Sequence, residues 1–337
     1  MTLRSKNAYL FCLMLSGLAA ADNNELADLS VYYLGGLLSD DDQYSAEISA
    51  DYLLANDKWL ALAAVRAETR GAFASFPGSS STAFDMSFGQ RLKTLQYSAG
   101  ASWIEDEGLG STAQYRGAFG AELDDWSLKL TVEWRDTAYH LSNFDALLRS
   151  IDEFLEDQLQ QQLQSRFPQV DFNNLIALQA ELDIRSLVYS LDIAYSASDS
   201  LSVFGAYTHF DYRDAPDRVQ ISAGLNRFGD TDRGQRVLAQ INRALINSVD
   251  GLAGDFRHGF YARSASVGLD VNSGNHSWLF EYAHDKDAIT GEAIRSAGLQ
   301  WIAPLGEASD LRIAVGHRRA ETLGNSNQIS VGVFFYR

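Results

Sequence analysis

The sequence predicts an all-β protein, a transmembrane antiparallel β-barrel of about fourteen strands. Three observations carry that expectation. Apolar and polar residues alternate with a period of two along most of the chain, the alternating runs are about 10 to 13 residues long, and short polar links alternate with longer ones. A period of two is the repeat of a strand with one apolar face. Strands in ordinary sheets centre near ~5–6 residues, whereas a bilayer-crossing strand needs about 9–11 at a steep tilt. Closure into a barrel also leaves no unpaired N–H or C=O in hydrocarbon.

The chain opens MTLRSKNAYLFCLMLSGLAAADNN, with Arg4 and Lys6 ahead of an apolar stretch, Ala8–Leu18, and three small residues, Ala19 to Ala21. That order reads as a secretory signal peptide over residues 1–21, leaving 22–337 as a single barrel domain. The apolar stretch is too short to span a bilayer as a helix. Cys12, the one cysteine, lies inside it and follows Tyr9, Leu10 and Phe11, not the triplet of a lipid-attachment site. The mature chain therefore forms no disulfide and no thiolate metal site.

There are 27 basic and 44 acidic residues; without Arg4 and Lys6 the net charge is −19. Phosphate backbones need a basic face, so nucleic acid is excluded as a partner. Beyond the signal peptide no apolar stretch approaches the ~20 residues of a membrane helix. Any crossing is by strands.

The alternation is plain at Leu95, Tyr97, Ala99, Ala101 and Trp103 against Gln96, Ser98, Gly100 and Ser102. It recurs at Trp126, Leu128, Leu130, Val132 and Trp134 against Ser127, Lys129, Thr131, Glu133 and Arg135. It recurs again at Leu187, Tyr189, Leu191, Ile193 and Tyr195. The expected strands are 28–37, 44–54, 58–68, 82–92, 94–104, 112–123, 126–137, 185–196, 201–212, 258–271, 276–285, 292–303, 310–320 and 327–336. An even count puts both ends of the chain on one side of the membrane. Val219, Ile221, Ala223 and Leu225 alternate equally well. They belong to a large outer loop, or with one more strand they make the barrel sixteen-stranded.

Short links at Asn56-Asp57, Asp124-Asp125, 197–199 and 272–275 alternate with longer ones at 70–81, 105–111, 286–291 and 321–327. Barrels of the outer membrane have short turns on one side and longer loops on the other. Trp59, Trp126, Trp278 and Trp301 fall by short turns and Trp103 and Trp134 at the other strand ends, the placing of two interfacial aromatic girdles.

The last strand reads QISVGVFFYR. Ser330, Gly332, Phe334, Phe335 and Tyr336 resemble the terminal strand of Gram-negative outer-membrane β-barrel proteins of the porin-like type, and the resemblance covers residues 28–337. It implies residence in the outer membrane after passage through the periplasm, contact with outer-membrane lipid, and a terminal signal read by the barrel-insertion machinery. The chain departs from the pattern in ending on Arg337 in place of an aromatic residue.

Two stretches switch to a helical period. Phe144, Leu147, Leu148, Ile151, Phe154 and Leu155 share a face within 143–167, with Asn143 as N-cap and Pro168 as stop. Val237, Leu238, Ile241, Leu245 and Val249 do the same within 232–250. The first is acidic and the second basic. They pack together as a lid or plug, or lie separately on the rim.

The polar register places Glu47, Asp85, Gln114, Glu281, Gln300 and Arg318 in the lumen, with six candidates for a charged constriction. These are the bases Arg116, Lys129, Arg135 and Arg312, opposed by Glu133 and Asp192. Bases facing acids create a transverse field that makes passage charge-dependent. The same groups can instead pair and fill a closed barrel, although eight strands already suffice for side chains to fill the interior.

The six histidines are scattered and none sits in a hydrolase or zinc motif, so the chain reads as a non-enzyme without cofactor. The run Asp40-Asp41-Asp42 lacks the ligand spacing and glycine of a calcium loop. The expected function is an outer-membrane channel for passive or gated diffusion of small hydrophilic solutes. The alternatives are a plugged barrel anchoring a surface-interaction protein and, less favoured, a membrane-embedded hydrolase.

Overall fold

The computed structural model describes residues 29–39, 43–54, 56–69, 79–106, 110–141, 180–213, 259–320 and 324–336. Its strands are β1 (Leu29–Ser39), β2 (Gln43–Leu54), β3 (Lys58–Thr69), β4 (Ser79–Leu92), β5 (Leu95–Asp106), β6 (Gly110–Leu123) and β7 (Trp126–Leu141). They continue with β8 (Ala180–Ser198), β9 (Leu201–Tyr212), β10 (Tyr261–Ser273), β11 (His276–Asp287), β12 (Ala293–Gly306), β13 (Ser309–Ala320) and β14 (Gly324–Tyr336). The expected signal peptide, 1–21, the expected helices 143–167 and 232–250 and the alternating segment 219–225 lie outside the described residues.

Each strand pairs antiparallel with its neighbours in sequence, and β1 pairs with β14 from Val31↔Tyr336 to Ser39↔Gln328, closing the ring. The barrel has fourteen strands. Because β9 pairs directly with β10, the sixteen-strand alternative fails. β7 and β8 are longer than the sequence pattern predicts, at 16 and 19 residues. A strand needs only about 9–11 to cross a bilayer, so this ribbon overshoots it. Beyond residue 184 toward the loop end, Glu181 and Asp183 interrupt the apolar pattern by which a crossing strand is recognised.

Burial is inverted relative to a soluble protein. In β6 Gln114 is 1% exposed and its neighbour Tyr115 is 59% exposed. Leu34, Phe119, Leu130 and Phe280 are likewise exposed on the outward register. An apolar belt facing out is stable only against hydrocarbon.

The short turns share one end of the barrel. Asn56 and Asp57 hold left-handed backbone (φ 62° and 56°) between β2 and β3, a conformation Asn and Asp tolerate better than most residues. The long connections, 142–179 and 213–260, leave from the other end, here the loop end.

Two expectations need correction. Trp59 is not part of a girdle: it pairs with Gly89 on the inward register, and its indole lies over that glycine. β3 reads KWLALAAV, apolar on both faces, so hydropathy cannot assign its register; pairing with Asp85, Ser87 and Gly89 of β4 does. Nor is the interior polar throughout. Toward the loop end Val65, Ala83 and Ile104 cluster on one stretch of the inner wall, and Val188, Phe210, Tyr261, Ile294 and Ala320 on another.

Candidate solute pathway through the barrel

All six constriction candidates lie on the inward register. Cross-strand pairing sets Arg116 beside Glu133, Gln114 beside Arg135 and Lys129 beside Asp192. Glu133 and Asp192 therefore share a wall with Arg116, Lys129 and Arg135 and do not oppose them. Directly opposed positions in a ring of fourteen are seven strands apart, and that relation holds between β6, with Arg116, and β13, with Arg312. Sequence alternation gives the face of a residue but not its angular position, which depends on strand order around the ring.

The candidates differ in how far their charge is already met. Arg116 Nη2 donates to Asp85 Oδ1 at 2.6 Å, both side chains being mostly covered. It reaches across β5 above Gly100, where a Cβ would come within 3.0 Å of Arg116 Nε. Arg135 donates from Nη2 and Nε to Glu133 Oε1 at 3.0 and 3.2 Å, and its guanidinium lies 5.4 Å from the Phe210 ring centroid. Arg135 is buried, so its charge is absorbed within the wall. On the facing wall Arg312 donates from Nε to Gln300 Oε1 at 2.7 Å and from Nη1 to the Tyr33 hydroxyl at 3.4 Å. Lys129 differs: no ion pair among the described residues engages it.

Two cavities lined by described residues on the inner wall bear on a solute. One, about 310 Å³, is lined by Trp59, Ser87, Gln96, Ser98, Arg116, Lys129 and Thr131 on the β3–β7 wall. The other, about 360 Å³, lies against β11–β13 with Glu281 and Asp285 on one side and Arg312 and Arg318 on the other. Its floor is of small residues, Ser296, Gly298, Ala314 and Gly316. The arrangement can hold a small polar solute by hydrogen bonds and charge.

Sequence reasoning missed Trp59, Tyr33, Phe204 and Phe210 as interior residues. A usable signal existed: each of the first three covers a glycine on an adjacent inward position, Tyr33 over Gly35 and Gly332, Trp59 over Gly89, and Phe204 over Gly268. Aromatic cover of strand glycines is a known stabilising device. The four histidines whose side chains are described, His209, His276, His284 and His317, all take the outward register. His317 Nδ1 and Asn327 Oδ1 are 2.9 Å apart. Among the described residues no group of three or more His, Cys, Asp or Glu side chains is placed to hold a metal.

No protein-family model and no curated protein matches this sequence. Solved structures do. The CymD monoaromatic hydrocarbon channel superposes with a TM-score of 0.51 at 8% identity, over 93% of this chain and 88% of that one. A Pseudomonas aeruginosa FadL homologue gives 0.50 at 10% identity, over 94% and 93%. The KdgM porin gives 0.40 at 8% identity, over 90% and 98%. The chain has the fold of outer-membrane porins and channels.

Proposed function

We propose that this protein is an outer-membrane channel for diffusion of small hydrophilic solutes down their own gradients. One observation carries the reading: charged and polar side chains of both signs line the inside of a closed ring of fourteen strands whose outside is apolar. A ring of that size is wider than side chains alone fill. The CymD channel, which shares its fold, supports the channel part of this reading, whereas the hydrophilic solute rests on the polar lining alone. In this reading residues 1–21 direct export, and Ser330, Gly332, Phe334, Phe335 and Tyr336 address the barrel to the insertion machinery. Lys129 and Arg312 act on solutes in transit. Arg116, held by Asp85, shapes the field around them together with Glu133, Arg135 and Asp192.

Single-channel recording of the refolded chain in a planar bilayer tests the proposal. Discrete conductance steps are expected, and a folded barrel that never conducts would refute it. One observation favours a second reading, a barrel filled at its loop end and serving as an anchor for a surface partner. Ile104, Ile184 and Ile294 point inward there, yet all are almost fully buried. A silent, correctly folded barrel is the result that reading requires.

A further inference from the structure

The cavity on the β3–β7 wall has a chemistry of its own. The charged side chains that line it, Arg116 and Lys129, are both cations, whereas the cavity on the facing wall mixes Glu281 and Asp285 with Arg312 and Arg318. Arg116 is already held by Asp85, so Lys129 is the charge left for a solute. Asp192 neighbours Lys129 across β7–β8 but does not line the cavity. The Trp59 indole is laid along the wall by Gly89, exposing an apolar ring surface within the same recess. Ser87, Ser98, Gln96 and Thr131 add hydroxyl and amide groups around it. At about 310 Å³ the recess lies at the small end of ligand sites, about 300–1,000 Å³, room for one ring and not a chain.

We infer that this recess is a binding subsite for a hydroxylated six-membered ring bearing a carboxylate. The carboxylate meets Lys129 as a charge-assisted hydrogen bond. One face of the ring lies on Trp59, and its hydroxyls take the place of water on Ser98, Thr131 and Gln96. A plain aromatic acid would satisfy the charge and the ring but leave those polar groups without partners, which is costly in a recess. A neutral sugar would forgo the charge. The inference rests on the channel reading, since the solute reaches the recess from the lumen.

The test is calorimetric titration of the refolded full chain in detergent with D-glucuronate, D-glucose and benzoate. Conductance is recorded on the same preparation. Glucuronate is expected to bind more tightly than either comparison compound. Lys129→Gln should weaken it about tenfold, the loss of one hydrogen bond to a charged group. Lys129→Arg should restore most of the affinity, and Trp59→Leu should weaken it with the fold intact by heat-modifiable mobility. Benzoate binding as tightly as glucuronate overturns the hydroxylated class. Absence of glucuronate binding, or binding unchanged in Lys129→Gln, overturns the subsite. A conducting barrel that fails to bind refutes this inference alone, and a binding barrel that fails to conduct refutes the channel reading alone.

Discussion

Arg116 of β6 reaches Asp85 of β4 across an intervening strand, closing a 2.6 Å ion pair above Gly100 of β5. The geometry needs a residue without a side chain on the inward face between them. Gly100→Val is expected to push Arg116 off Asp85 and to cost about 1–3 kcal/mol, the penalty for leaving a covered polar group unpaired. Gly117→Ala is the control, because nothing lies within 4 Å of the Cβ it would add. Urea unfolding in lipid vesicles measures both, and equal stability of the two variants would dismiss the role of Gly100.

The inward bases should not be equivalent. Neutralising Lys129 or Arg312 removes a charge that faces the lumen, so the reversal potential in a salt gradient should move toward cation selectivity. Arg135→Gln removes a charge already cancelled by Glu133 and buried against Phe210. It should leave selectivity near the parent value while destabilising the barrel by about 3–5 kcal/mol, as expected when one partner of a buried pair is deleted. A large selectivity change with Arg135→Gln would contradict the assignment.

The two sides of the wall can be told apart by fluorescence. Variants retaining a single tryptophan, at position 59 or 126, are reconstituted with brominated lipid. Trp126 is exposed on the outward register and packs on Tyr195 at 4.7 Å between ring centroids, so its emission should be quenched. Trp59 should be spared by the lipid and reached by iodide from water. Quenching of Trp59 by lipid would return it to the girdle.

The seam between the first and last strands depends on close approach. Tyr33 covers both Gly35 and Gly332, and its ring lies 4.8 Å from that of Phe334. Gly332→Val sets a branched side chain against Tyr33 and should abolish the fast-migrating, heat-modifiable form on gels. Phe335→Ala alters only the outward face of β14. It should still fold in detergent but insert more slowly into vesicles carrying the insertion machinery. Equal insertion rates would show that the terminal aromatic is not read.

Much of the barrel was legible because its chemistry repeats. Leu95 to Trp103 and Trp126 to Trp134 alternate without exception, since each second residue meets hydrocarbon and each other one meets the interior. Register was illegible where that contrast vanishes, as in β3, where Trp59, Ala61, Ala63 and Val65 are as apolar as their outward neighbours. The inward Ile104, Phe210 and Ile294 were missed for a related reason: each is buried where it stands, and a buried inward position tolerates an apolar side chain that a wetted one would not.

The sequence by itself determined the strand periodicity, the inward face of each constriction candidate and the terminal strand, because these follow from local alternation. Only the tertiary structure decided that the ring closes at fourteen, that Glu133 and Asp192 sit beside the bases they were expected to face, and that Trp59 lines a recess with Lys129. A period of two says which way a side chain points. Which side chains meet depends on strand order and register around the ring, and those are set by hydrogen-bonded pairings between residues far apart in the chain.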